Sequence, residues 1–242
     1  MTDKPLYNSR ITRTYIEFLE NHFPEVDISS ILNDSGMMHH EVQDGAHWFS
    51  QNQVDRFHEN IIEKTGKSDI AREAGRFAAS SKGLGAIRQY TMGMMSPAAA
   101  YQLIGKLYPL MSRAADVTAK KLKANTIEIV STPKPGVEEK PYQCENRLGM
   151  FESLARFFTN EFAIIEHPLC FHKGDRSCKY IITWRYSATR IWKILRNYSF
   201  PMAFFLSVSA FFLLSPTYCI YLILLCLAVC MSISFYAEHL EK

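Results

Sequence analysis

The apolar positions in the first half of the chain recur with the period of an α-helix. Between Asn8 and Phe23 the large apolar side chains lie three or four positions apart, and Pro24 ends the pattern. Ser50 and Gln53 match a capping box at the start of a second helix. These signals predict that the N-terminal half is mainly helical.

Two more helix starts follow in this half. A helix is predicted to begin near Ser68, where apolar residues again follow helical spacing. Ser96 and Pro97 are a capping residue and a proline at the first helical position, which together mark another start. We expect this last helix to continue toward Val117.

The pattern then changes to the alternation of a β-strand. Thr126–Thr132 alternates β-branched and polar residues, and Pro141–Cys144 is expected to end a second strand. A helix is predicted over Leu148–Phe158, and the β-rich segments Phe162–Ile165 and Tyr180–Trp184 predict an antiparallel hairpin. The predicted fold class is therefore α+β, with helices packed on an antiparallel sheet.

A long uncharged segment near the C-terminus predicts membrane spans. The 39 residues of Tyr198–Tyr236 carry no charge, whereas one span needs roughly 20 apolar residues. With Pro216 at the turn, we expect a hairpin of two transmembrane helices, about Ser199–Leu214 and Thr217–Tyr236. A buried hairpin of a soluble fold is the alternative.

The distribution of charge orients this hairpin and divides the chain. Of 27 basic and 24 acidic residues, five and two lie after residue 184, so 22 of each remain before it. The excess of positive charge next to the hairpin predicts that both termini are cytoplasmic, at the bacterial inner membrane. The expected domains are a cytoplasmic domain (1–184), a basic connector (185–197), the hairpin (198–236) and a short tail (237–242). A neutral domain does not suggest nucleic-acid binding.

Three cysteines and one histidine form a possible set of metal ligands. Cys144 is followed after 22 residues by His167, after two more by Cys170 and after seven more by Cys178. Three thiolates and an imidazole are a complete tetrahedral ligand set for zinc, and disulfides are not expected in a reducing cytoplasm. His172 is a competing ligand, and the alternative is three ordinary thiols beside a surface histidine.

This ligand pattern resembles that of the 4-vinyl-reductase-type domain, the phenol-responsive sensor of certain bacterial transcription activators. Those sensors carry glutamate where this chain has His167, and their closing hairpin is similar to the segment from Gly174-Asp175 through Cys178 to Tyr180. The resemblance implies a homodimer, a structural zinc ion, and an internal pocket near the zinc for a small, largely apolar molecule. The membrane hairpin is foreign to those sensors.

Several aromatic and methionine residues are candidates for the lining of such a pocket, with plain core packing as the alternative. They are Trp48, Tyr90, Met92, Met94, Tyr101 and Tyr108. No pairing of a nucleophile with a base stands out, so we do not expect an enzyme.

The function expected from the sequence is that of a membrane-tethered cytoplasmic sensor for a small apolar ligand, aromatic or lipid-like. An output domain such as a kinase or nucleotide cyclase is expected to follow residues 237–242. The alternative is a membrane-anchored scaffold of the same fold that binds no small ligand.

Overall fold

The computed structural model describes residues 4–80, 95–159, 161–185, 188–213 and 215–239. Helices and antiparallel sheets alternate along it, which confirms the predicted α+β class. The described helices are Ser9–His22 (α1), Ile28–Asp34 (α2), His39–Gln43 (α3), Gln51–Thr65 (α4), Ile70–Ser80 (α5), Pro97–Leu107 (α6), Pro141–Thr159 (α7), Ala188–Leu213 (α8) and Pro216–His239 (α9). The described strands are Pro5–Asn8 (β1), Trp48–Ser50 (β2), Ala115–Lys123 (β3), Thr126–Pro133 (β4), Ile164–Leu169 (β5) and Cys178–Thr183 (β6).

The helix starts that capping residues predict at Ser50 and Ser96 are confirmed, and the predicted first helix also begins with a cap. The side chain of Asn8 accepts a hydrogen bond from the Arg10 amide at 3.2 Å and caps α1. Ser50 and Gln53 form the capping box of α4, and Ser96 caps α6. Each cap gives a partner to a backbone N–H that the helix itself leaves unpaired.

The described residues form two hydrophobic cores, and the buried side chains of helix α7 belong to the second. The N-terminal core packs helices α1, α2, α4 and α5 around Leu19, Phe49 and Ile61. The second core covers one face of a four-stranded antiparallel sheet with strand order β3-β4-β6-β5. Ile129 of β4 is paired with Tyr180 of β6, and both are fully buried.

Two expectations for secondary structure are wrong. Helix α6 does not continue toward Val117: it ends at Leu107, because Pro109 follows in a short 3-10 turn, and Val117 lies in strand β3. Residues 141–144 are not the end of a strand. Pro141 occupies the start of α7, where its missing N–H costs nothing, so Cys144 lies in the first turn of that helix.

Helices α5 and α7 approach so closely that their backbones touch. A Cβ atom added to Gly75 of α5 would lie 2.2 Å from the Asn146 carbonyl oxygen, and one added to Gly149 would lie 2.0 Å from that of Arg72. Beside this crossing, the buried carboxylate of Glu152 accepts hydrogen bonds from the guanidinium groups of Arg72 and Arg76. Glycine on each helix is therefore a condition for this packing.

The C-terminal helices correct the prediction of two spans. Among the described residues one helix, over Pro216–Ala237, is long and apolar enough to cross a membrane. Helix α8 is not, because its first turns carry Arg190, Lys193 and Arg196. Its apolar part begins only at Tyr198, so it is shorter than a typical span.

We predict that Gly149→Ala destabilises the fold by at least about 2 kcal/mol, because the new methyl group must push two helix backbones apart. Gly45→Ala is the matched control, since its methyl group would meet only the flexible side chain of Arg10. Denaturant unfolding of the full chain in detergent measures both. Equal stability of the two variants would contradict the constraint at the helix crossing.

Candidate functional site

A cavity of about 400 Å³ lies between helices α1 and α4 on one side and α6 and α7 on the other. Most of its wall is apolar, because these helices turn their hydrophobic faces toward one another. The apolar wall includes Ile11, Phe57, Leu103, Ile104, Met150 and Leu154.

One end of the cavity is polar and carries two opposite charges. Glu139 and Arg147 both lie in the wall, and their side chains are only 1% and 5% exposed. The guanidinium donates two parallel hydrogen bonds to the carboxylate, Nη1 to Oε1 at 2.7 Å and Nη2 to Oε2 at 2.8 Å. Burial lowers the pKa of Arg147, but Tyr108 and Glu139 raise it by more, so the net shift is upward and the guanidinium stays charged.

The tyrosine hydroxyls of the cavity wall form hydrogen bonds with neighbouring side chains. Tyr7 donates to Gln51 Oε1 at 2.6 Å, and Tyr142 donates to Asp55 Oδ1 at 2.9 Å. Burial raises the pKa of both phenols, so they remain neutral. Tyr108 accepts a hydrogen bond from Arg147 Nη1 at 3.1 Å.

His58 is the one histidine in the described part of the wall. Its ring stacks on Tyr142, with ring centroids 3.9 Å apart and the planes 12° from parallel. Burial lowers the pKa of His58 to about 4, so the imidazole is neutral near pH 7. Its Nε2 atom is buried and has no hydrogen-bond partner among the described residues.

The four predicted metal ligands come together at one corner of the sheet. Cys144 is in the first turn of α7, His167 is on β5, and Cys170 and Cys178 flank the connection to β6, which turns at Gly174 with φ +98°. Their ligand atoms all lie within 4.8 Å of one another. We call these four residues the thiol cluster.

Hydrogen bonds with neighbouring groups hold the thiol cluster in place. Asp175 Oδ2 accepts from the Cys170 amide at 2.8 Å, and the Phe171 amide donates to Cys178 Sγ at 3.4 Å. The Cys144 thiol lies 4.0 Å from Cys178 Sγ, and this interaction lowers the pKa of Cys178. One thiolate is thus already favoured in the cluster.

The thiol cluster and the polar end of the cavity are joined through one side chain. The Tyr180 hydroxyl accepts a hydrogen bond from Arg147 Nε at 3.4 Å and lies 3.1 Å from Cys144 Sγ. The Tyr180 ring also stacks on His167, with centroids 4.5 Å apart. Arg147, Tyr180 and Cys144 therefore form a continuous polar path between the two sites.

The residues proposed for the pocket lie in different places. Tyr108 is in the cavity wall. Tyr101 is not: it is buried in the second core, where its hydroxyl donates to the Phe151 carbonyl at 2.6 Å. Trp48 is also elsewhere, under the guanidinium of Arg113. Three other pocket candidates, Tyr90, Met92 and Met94, lie outside the described residues.

The sequence interpretation missed Glu139 and Arg147. A signal existed for Arg147, since it lies three positions after Cys144 and four before Phe151, on the apolar side of α7. A basic residue in such a position requires a buried partner. Nothing in the sequence pattern identifies Glu139 as that partner.

Comparison with solved structures shows the fold. An oxygen-binding H-NOX domain related to soluble guanylate cyclases, in its oxygen complex, is 20% identical with a TM-score of 0.56; the match covers 74% of this chain and 96% of that one. An H-NOX protein from S. oneidensis in the Fe(II)NO ligation state is 14% identical with a TM-score of 0.55, over 74% and 99%. A protein studied for heme redox potential and porphyrin distortion is 18% identical with a TM-score of 0.55, over 73% and 99%. No protein-family model and no curated protein sequence matches the chain.

These similarities correct two expectations. The fold is that of H-NOX (heme-nitric oxide/oxygen binding) domains, so the resemblance to the vinyl-reductase-type sensor domain is wrong. The resemblance also implied a structural zinc ion as the cofactor. This expectation is wrong, because the similar structures are described with heme.

Proposed function

We propose that this chain is a small-molecule sensor whose ligand, a largely apolar molecule, occupies the cavity between α1, α4, α6 and α7. The observation that carries this proposal is the cavity itself, whose 400 Å³ lies within the range of about 300–1,000 Å³ that is usual for ligand sites. An apolar cavity of about 150 Å³ holds one benzene ring. The present cavity therefore has room for a molecule of two fused rings.

The described wall does not fit the iron of heme. Heme iron is held by a histidine, cysteine or tyrosine, or by methionine together with histidine. His58 is covered by Tyr142, and the hydroxyls of Tyr7 and Tyr142 are engaged with other side chains. The Tyr108 hydroxyl accepts a hydrogen bond from Arg147, and the Tyr15 hydroxyl is hydrogen-bonded to Asn146. No cysteine lies in the described wall.

The described wall also lacks a partner for the carboxylates of heme. Arg147 is its one basic side chain, and Glu139 already neutralises it. A second buried carboxylate beside Glu139 would meet a like charge at short range. An uncharged, largely apolar ligand fits this wall better than heme does.

Ligand binding in the cavity can be transmitted to the thiol cluster through hydrogen bonds. A ligand at the polar end would contact Glu139, Arg147 or Tyr108, and Arg147 is connected to the thiol cluster through Tyr180. A small movement of Arg147 therefore changes the hydrogen bonding of Cys144. The expected homodimer stays a prediction.

We also propose that the thiol cluster binds one metal ion through Cys144, His167, Cys170 and Cys178. Metal–sulfur bonds of about 2.3 Å place tetrahedral sulfur ligands about 3.8 Å apart. The Cys144–Cys178 separation of 4.0 Å and the Cys144–His167 separation of 3.9 Å are close to this value. Thiolate and imidazole ligands favour soft or borderline metal ions.

A third proposal is that residues 198–236 form a hairpin in the bacterial inner membrane, with both termini cytoplasmic. In this hairpin α9 is long enough to span, and the shorter apolar part of α8 spans where the bilayer thins around it. Large apolar side chains project outward from both helices: Phe212 of α8 is 79% exposed and Phe235 of α9 is 80% exposed. A contiguous apolar surface of this kind is stable in lipid and unfavourable in water. The domain of residues 1–184 and the connector of residues 185–197 would then lie on the cytoplasmic side.

For the cavity, we predict that naphthalene-1-methanol raises the Tm of the full chain in detergent. The stabilisation should reach about 2.7 kcal/mol at one hundred times Kd, because the ligand binds only the folded state. Ala100→Leu, which fills the cavity from α6, should abolish this effect, whereas the neighbouring Ala99→Leu should keep it. Heme should give no shift.

A flat response to a panel of aromatic and fatty ligands, together with a recovered protein partner, would instead favour the scaffold function. Stabilisation by heme with a matching absorbance change would contradict the uncharged ligand.

For the thiol cluster, elemental analysis of the purified chain should find about one metal ion per chain, as four ligands for one ion require. Cys178→Ser should lose the metal, and Cys226→Ser, which changes a cysteine of helix α9, should keep it. Folded wild-type protein without metal would contradict this proposal.

For the membrane hairpin, epitopes at the two termini should both be digested by protease in inside-out vesicles and both be protected in intact spheroplasts. A hairpin requires this result, because the chain returns to the side from which it entered. A single span by α9 would place the two epitopes on opposite sides.

A further inference from the structure

We infer that the cavity selects uncharged molecules that carry one hydrogen-bonding group directed at Glu139, Arg147 and Tyr108. This inference rests on the proposed function and specifies its ligand class. The geometry that carries it is the buried ion pair in the cavity wall, which presents two opposite charges that neutralise each other.

The hydrogen-bonding capacity of Arg147 is nearly used up. A guanidinium has five N–H groups. Four of them are engaged: Nε with Tyr180, Nη1 with both Glu139 and Tyr108, and Nη2 with Glu139. A ligand carboxylate would have to displace Glu139 to gain two parallel hydrogen bonds, and Glu139 would then remain buried without its partner.

A ligand amine meets the same obstacle from the other side. It would have to take Glu139 from Arg147 and leave the guanidinium uncompensated in an apolar surrounding. Among the described wall residues there is no second acidic side chain to replace Glu139. Both signs of charge are therefore disfavoured by the same pair.

An uncharged polar group can bind here without breaking the pair. Tyr108 accepts from Arg147, and its own proton has no acceptor among the described residues, so it can donate to a ligand oxygen. Glu139 accepts one hydrogen bond at each oxygen and retains further lone pairs for a ligand hydroxyl. An alcohol, ketone or amide on an apolar skeleton satisfies both groups.

The test uses three probes with one skeleton: naphthalene-1-methanol, naphthalene-1-carboxylate and 1-methylnaphthalene. Calorimetry on the full chain in detergent should show the alcohol binding at least about 100-fold more tightly than the carboxylate. In Glu139→Gln, which leaves Arg147 without a counter-charge, this ratio should fall by at least about tenfold. Glu138→Gln makes the same change at the exposed neighbouring residue and should keep the wild-type ratio.

An unchanged ratio in Glu139→Gln would overturn the inference, while binding of the alcohol to the wild type would leave the proposed function intact. Binding of none of the three probes to the wild type would overturn the proposed function itself, and the inference with it.

A second variant covers the case in which Glu139→Gln does not fold. The double variant Glu139→Leu, Arg147→Met replaces both charges by apolar groups, which folded proteins commonly tolerate. Its preference for the alcohol over 1-methylnaphthalene should fall by about tenfold relative to the wild type. An undiminished preference in the double variant would show that Glu139 and Arg147 do not bind the polar group, which contradicts the inference.

Discussion

The close approach of helices α5 and α7 is the constraint on which the rest of the structure depends. Gly75 and Gly149 allow backbone contact at the crossing. This contact fixes the position of α7 along its axis and its rotation about that axis. Helix α7 then carries Cys144 toward the sheet and Arg147 toward the cavity. One rigid helix therefore sets the geometry of two sites.

This arrangement makes the two sites interdependent. Arg147 is buried and holds Glu139, Tyr108 and Tyr180 at the same time, so none of these contacts can change alone. Because Tyr180 also contacts Cys144, the state of the thiol cluster and the occupancy of the cavity act on a shared set of hydrogen bonds. Any coupling between them must be reciprocal, since it is a difference in free energy.

The sequence predicted those parts of the structure that local signals determine. The caps at Ser50 and Ser96 act within one helical turn, and three of the four members of the thiol cluster lie on one hairpin. The cavity was not predictable in this way, because its wall is drawn from separate elements between β1 and α7. Strand β3 was missed because most of its residues are exposed and it has little apolar alternation.

The similarity to H-NOX structures shows the fold of this chain but does not determine which ligand its cavity binds. The backbone supplies a cavity between two groups of helices, but the charges and hydrogen bonds of its wall decide what can enter. In this chain the buried Glu139 neutralises Arg147, the one basic side chain of the described wall. Tyr142 covers His58, the one histidine of that wall. If the cavity takes the neutral ligand that we propose, these two side chains account for its preference over a charged, metal-bearing cofactor while leaving the fold unchanged.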